Sequence, residues 1–225
     1  MTRFISNEKL EFLVYNVEES ETPDFIVNID KKLISIEHTR LINPDLKKVE
    51  SYRERIIKNA HKRFEQKYSA KLYLLVTFNN ISLKSGKVAE QKYSDEVFKL
   101  IEDIYLCNKD YEFRIDSRKR KARVSELIES FSVDNTRDFS HWQHFGAYLV
   151  ERIDMDWLQG IISKKENNIE RYPKEFHQNW LLLVSDFGTK ASAHNFDQID
   201  LSSIKTKFDK VYLYNFMPDK IEIVK

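Results

Sequence analysis

The 225-residue sequence has one cysteine, Cys107, and only four glycines and four prolines. A lone cysteine excludes intrachain disulfides and cysteine-rich zinc sites, and it is compatible with a reducing compartment. Gly86, Gly146, Gly160 and Gly188 stand too far apart for a GxGxxG or Walker loop, in which closely spaced glycines let the backbone approach phosphates. A GxSxG nucleophile elbow is excluded for the same reason. No apolar run approaches the roughly 20 residues that a membrane-crossing helix needs, and no apolar stretch follows a basic start, so a cytoplasmic location is expected. Internal repeats, low-complexity tracts and proline-rich linkers are also missing.

What remains is the composition of a folded protein, with 41% hydrophobic, 13% aromatic and 32% charged residues. The length suits a single domain over residues 1–225 with a substantial core. The pattern predicts an α/β fold. Strand-like runs are FLVYNV at 12–17, FIVNI at 25–29, LISIEHTRL at 33–41, KLYLLVTF at 71–78, NWLLLVSDF at 179–187, KVYLYNF at 210–216 and IEIV at 221–224. Helical spacing follows Pro44, where Val49, Tyr52, Ile56, Ala60 and Phe64 share a face, and recurs over 94–106 and about 155–172. The stretch from Asp110 to Asp154 shows no clear period.

The net charge is only +1, but its distribution is uneven. Lys47 to Lys67 holds eight Lys/Arg against three Glu, and RKRKAR at 118–123 places five positive charges in six residues. Lys58, Lys62, Arg118, Lys119, Arg120, Lys121 and Arg123 are therefore candidate phosphate contacts, with a solvated charged face as the plain alternative. His141 and His144 in HWQHF lack an acidic or cysteine companion, which makes them a poor zinc site, and aromatic packing is expected there. Trp142 and Phe145 could stack on unpaired bases, but such aromatics in a folded domain are more often core and are left out of the site.

Two carboxylates stand out in ETPDFIVNIDKKLISIEHTRL at 21–41. Asp24 opens the first strand of a hairpin whose turn is IDKK, and Glu37 lies well along the second. Alternation puts Leu33, Ser35, Glu37 and Thr39 on one face and Ile34, Ile36, His38 and Arg40 on the other. A carboxylate among apolar strand residues is costly unless paired or metal-bound, and a solvent-facing edge strand is the alternative. In WLQGIISKKENNIERY, residues Leu158, Ile162, Lys165, Ile169 and Tyr172 recur at intervals of four, three, four and three. That puts Lys165 mid-stripe on an apolar face, where its ammonium needs a partner or a route along the surface to water.

PDF followed by a strand-borne IEHT resembles the PD-(D/E)XK nuclease superfamily. In that superfamily a hairpin delivers an aspartate, a second acid and a lysine two positions later. Asp24 and Glu37 match the acids, and Thr39 occupies the lysine position. KENNIERY followed by HQNWLLLVSD is similar to uncharacterised bacterial members with ExT on the strand and a lysine on a later helix, which assigns the missing role to Lys165. The resemblance implies a restriction-endonuclease-like fold, a central mixed sheet flanked by helices. A further acid would come from ahead of the hairpin, from Glu8 or Glu11, with Glu18 and Glu19 as substitutes.

The implied reaction is hydrolysis of phosphodiester bonds in DNA, ahead of RNA. Asp24, Glu37 and the carbonyl of His38 would offer hard oxygen ligands to Mg²⁺ or Mn²⁺, and Lys165 would orient water or stabilise phosphoryl charge. The alternative is a catalytically inactive module of the same fold that binds nucleic acid or a partner protein. A protein-interaction subunit with neither property is the third reading. No membrane partner is expected, and the oligomeric state, a homodimer included, is left open.

Overall fold

A computed structural model of the chain describes Phe4 and residues 14–120, 124–145, 150, 152–196, 201–216 and 220–223. In chain order the elements are β1 (Val14–Glu19), β2 (Phe25–Ile29), β3 (Lys32–Arg40), α1 (Pro44–Lys67), β4 (Tyr73–Phe78), α2 (Lys87–Asn108), β5 (Arg114–Asp116), β6 (Ile128–Asp134), β7 (His141–His144), α3 (Met155–Glu166), β8 (Gln178–Ser185), β9 (Lys210–Asn215) and β10 (Lys220–Ile223). The chain divides into two compact units, Met1–Pro44 with Leu149–Lys225, and Asp45–Tyr148. The fold is α/β with mixed sheets and helices. The single sheet expected from the sequence is replaced by two, because KLYLLVTF pairs with strands of the unread 110–154 stretch. No helix is long and apolar enough to cross a membrane among the described residues.

In the first unit six strands lie in the order β1-β2-β3-β8-β9-β10. Outer pairs are antiparallel, and β3, β8 and β9 run parallel at the centre. The β2–β3 turn is tight, with Asp30 and Lys31 both at positive φ (49° and 64°), the pattern of a two-residue turn that matches strand twist. Strands buried on both faces read as continuous apolar runs, which is why β8 carries Trp180 to Val184 without a polar break. One face of the sheet buries Ile34, Ile36, Trp180, Leu182 and Tyr212, and the other buries Leu181, Leu183, Val211 and Leu213 with Leu158 and Ile162 of α3.

Helix α3 starts at Asp154, whose carboxylate accepts the Trp157 N–H at 2.7 Å and satisfies a donor left open by the first turn. The helix expected to reach 172 stops at Glu166. Asn167 and Asn168 are poor helix formers, and the chain continues through a short 3-10 turn, Ile169–Arg171, before Tyr172.

In the second unit α1 and α2 pack on one face of the sheet β5-β6-β4-β7, burying Ile56, Ala60, Phe64, Val97 and Ile101 against Leu74, Val76 and Val133. Val49, expected on the inward face of α1, is 46% exposed. His141 and His144 lie on strand β7. His141 stacks on Tyr73 and His144 meets Phe78 edge-on, while Trp142 is buried and Phe145 exposed.

Candidate active site

Strand pairing decides where the two carboxylates point. β3 and β8 are parallel with Ser35 opposite Asn179, Glu37 opposite Leu181 and Thr39 opposite Leu183, so the alternation that includes Glu37 faces α3. β3 is the third of six strands, not an edge, and Glu37 keeps only 2% of its side chain exposed. Asp24 immediately precedes β2, whose Phe25 pairs with Ile36. Its Oδ2 accepts the backbone N–H of His38 at 2.7 Å, which draws the carboxylate to the same side as Glu37.

Lys165, one turn beyond Ile162 on the buried stripe of α3, reaches both acids. Its Nζ donates to Asp24 Oδ2 at 3.0 Å and to Glu37 Oε2 at 2.8 Å. Asn168 Nδ2 donates to Glu37 Oε2 at 3.2 Å and the Tyr172 hydroxyl to Glu37 Oε1 at 3.3 Å. A buried carboxylate is tolerable only when its oxygens accept hydrogen bonds, and Glu37 has three donors. Beside it the Ser35 hydroxyl donates to Asn179 Oδ1 at 2.6 Å.

Burial alone would push the Lys165 ammonium down, but the hydrogen bonds and charges of Glu37 and Asp24 outweigh it and hold its pKa above the ordinary 10.5. Burial and then the charge of Glu37 raise the Tyr172 phenol, so its O–H remains a donor. Burial lowers the His38 imidazole against the pull of Asp24. Because the folded pKa of Lys165 is raised, its contribution to stability is full below pH 10.5 and is lost as pH rises through the higher folded value. Urea midpoints of the native chain should therefore fall as pH climbs beyond that point. The fall should be shallower in Glu37→Gln, whose side chain no longer holds the ammonium by charge.

The Asn168 role escaped the sequence reading, which placed Tyr172 on the stripe but gave neither residue a partner. Helical spacing could not have marked it, because α3 ends at Glu166, before Asn168. Glu18 and Glu19 are exposed on β1 and make no hydrogen bond or ion pair with the described site residues. Glu8, Glu11, Lys121 and Arg123 lie outside the described residues, as does the side chain of Arg120.

The acids suit a hard divalent ion in donor type. Asp24 and Glu37 face one common cation, and Asp24 Oδ1 accepts nothing from the described residues. No group of three or more His, Cys, Asp or Glu side chains is placed to hold a metal among the described residues. Any further ligand would come from backbone such as the His38 carbonyl, from water or from substrate.

The candidate phosphate contacts lie in the second unit. Five of the eight cations on Lys47–Lys67 are paired with acids, Lys47 with Glu50 and Glu54, Lys48 with Asp45, Arg55 with Glu90, Arg63 with Asp95 and Lys67 with Glu102. Lys58 and Lys62 are exposed and, among the described residues, unpaired. Arg118 grips Asp116 through two side-chain bonds at 2.9 and 2.6 Å, and its neighbour Lys119 is exposed. Set against known proteins, the chain matches no family model, no curated protein and no solved structure.

Proposed function

We propose that the first unit is a metal-dependent nuclease of the PD-(D/E)XK, restriction-endonuclease-like kind, hydrolysing phosphodiester bonds of DNA before RNA. The observation that carries this reading is the meeting of Asp24, Glu37 and Lys165, from a hairpin and a helix far apart in sequence, around one point on a central strand. A purely structural fold gains little from such a group, because a buried ion pair rarely outdoes well-packed apolar residues of the same size.

Asp24 and Glu37, with the His38 carbonyl, would hold Mg²⁺ or Mn²⁺, which when bound supplies Lewis-acid polarisation of the phosphate and a lowered pKa for coordinated water. Tyr172 and Asn168 fix the Glu37 carboxylate, so its oxygens do not turn away from the site. Lys165 places a positive charge where phosphoryl oxygens gain negative charge, and partial desolvation strengthens that interaction. Lys58, Lys62, Arg118 and Lys119 would contact nucleic-acid backbone.

A catalytically inactive module that binds nucleic acid or a partner protein is the second reading. Thr39 at the usual lysine position favours it, as does the commitment of the Lys165 ammonium to both acids. Mn²⁺ calorimetry and plasmid nicking on the native chain, Asp24→Ala and Glu37→Ala separate the two. Nicking that needs the ion and vanishes in both variants supports the enzyme. Salt-sensitive nucleic-acid binding with no ion requirement supports the module.

A further inference from the structure

The position between the two acids is already taken by a cation. Lys165 Nζ stands 3.0 Å from Asp24 Oδ2 and 2.8 Å from Glu37 Oε2, so the ammonium neutralises the facing oxygens of both carboxylates. A divalent ion held by the same pair would lie within a few ångström of that ammonium, and two cations at such range in a partly desolvated site repel strongly. For an ion to reach those facing oxygens, either the ammonium or the Glu37 carboxylate has to move. Glu37 is held at Oε1 by Tyr172 and at Oε2 by Asn168, and only 2% of its side chain meets solvent. Lys165 has 23% of its side chain exposed and a flexible four-carbon stem, so the ammonium has a route outward that the glutamate lacks.

We propose that Lys165 is a displaceable counter-ion, and that divalent-ion binding is coupled to nucleic-acid binding because a phosphate takes over the released ammonium. This rests on the metal-dependent reading above. Without nucleic acid, the ion must break two charge-assisted hydrogen bonds and leave the ammonium with no anion, so affinity is weak. With nucleic acid bound, a phosphodiester oxygen supplies that anion. Coupling of this kind is reciprocal, so the ion tightens nucleic-acid binding by the same factor. A pair of acids that already carries its own counter-ion also has no need of a metal to fold.

The test is calorimetric titration of Mn²⁺ into the full chain, native and with Lys165→Met or Lys165→Gln, alone and with a saturating phosphorothioate DNA duplex that resists cleavage. Native protein should bind Mn²⁺ roughly tenfold tighter with DNA than without, within the usual range for coupled sites. Both variants should bind Mn²⁺ at least about tenfold tighter than the native chain in the absence of DNA, and DNA should add much less to them. If a variant is too unstable to titrate, thermal melts replace calorimetry, and Mn²⁺ should raise its melting temperature more than that of the native chain. Native binding with no gain in either variant would overturn the inference and leave the metal-dependent reading intact. Mn²⁺ heat that persists in Asp24→Ala would overturn it by placing the ion elsewhere. No Mn²⁺ binding in any protein, with or without DNA, would overturn the metal-dependent reading and this inference with it.

Discussion

Lys165→Met should lower the unfolding free energy of the chain by about 2–3 kcal/mol at neutral pH, below the full penalty for breaking a buried pair because Lys165 and Asp24 both retain some solvent contact. The loss arises at Glu37. Its carboxylate is almost fully buried and keeps only the Asn168 and Tyr172 hydrogen bonds once the ammonium is gone. Methionine nearly matches lysine in volume, so little of the effect comes from a cavity. Urea unfolding of both proteins at neutral pH measures this, and an unchanged midpoint would mean that the pair contributes no net stability.

Asp24→Asn should separate folding from chemistry. The amide oxygen of the new side chain can still accept the His38 N–H, and the native Asp24 side chain is 35% exposed, so stability should change by no more than about 1 kcal/mol. If the chain is the nuclease proposed above, cleavage should nevertheless fall by about a thousandfold, because a neutral amide is a poor ligand for a hard cation. Nicking rates and thermal melts on one preparation give both numbers. A large stability loss with unchanged nicking would reverse the assignment and make Asp24 a structural anchor for the hairpin.

The hairpin and the convergence on Lys165 were legible because they rest on periodicities that sequence displays directly. Two-residue alternation put Glu37 on the face opposite to Ile36, and the four-three spacing of Leu158, Ile162 and Lys165 aimed the ammonium inward. Asn168 was not legible. Its amide acts across the space between α3 and β3, and nothing local marks an asparagine at a helix end as more than a terminator. β5 and β7 of the second sheet were missed because they span only three and four residues, too short for alternation to rise above chance. The pairing of the basic helix was not legible for a related reason. Its charges sum to a patch in linear sequence, but Glu90, Asp95 and Glu102 of α2 neutralise much of it across an interface that no local count contains.

The division of the chain carries a consequence for its synthesis. Asp45–Tyr148 is continuous and complete once its last residue has emerged, whereas the first unit is split between the two ends of the chain. The β2–β3 hairpin, with Ile34 and Ile36 on one side and Glu37 on the other, leaves the ribosome well before its parallel neighbour β8 is translated. At about 5–20 residues per second the interval is on the order of ten seconds, during which an apolar strand with an unpaired edge waits for its partner. Glu37 and the Asp30–Lys31 tip then serve the nascent chain as charged interruptions in an otherwise adhesive segment, before Lys165 arrives to neutralise the acid.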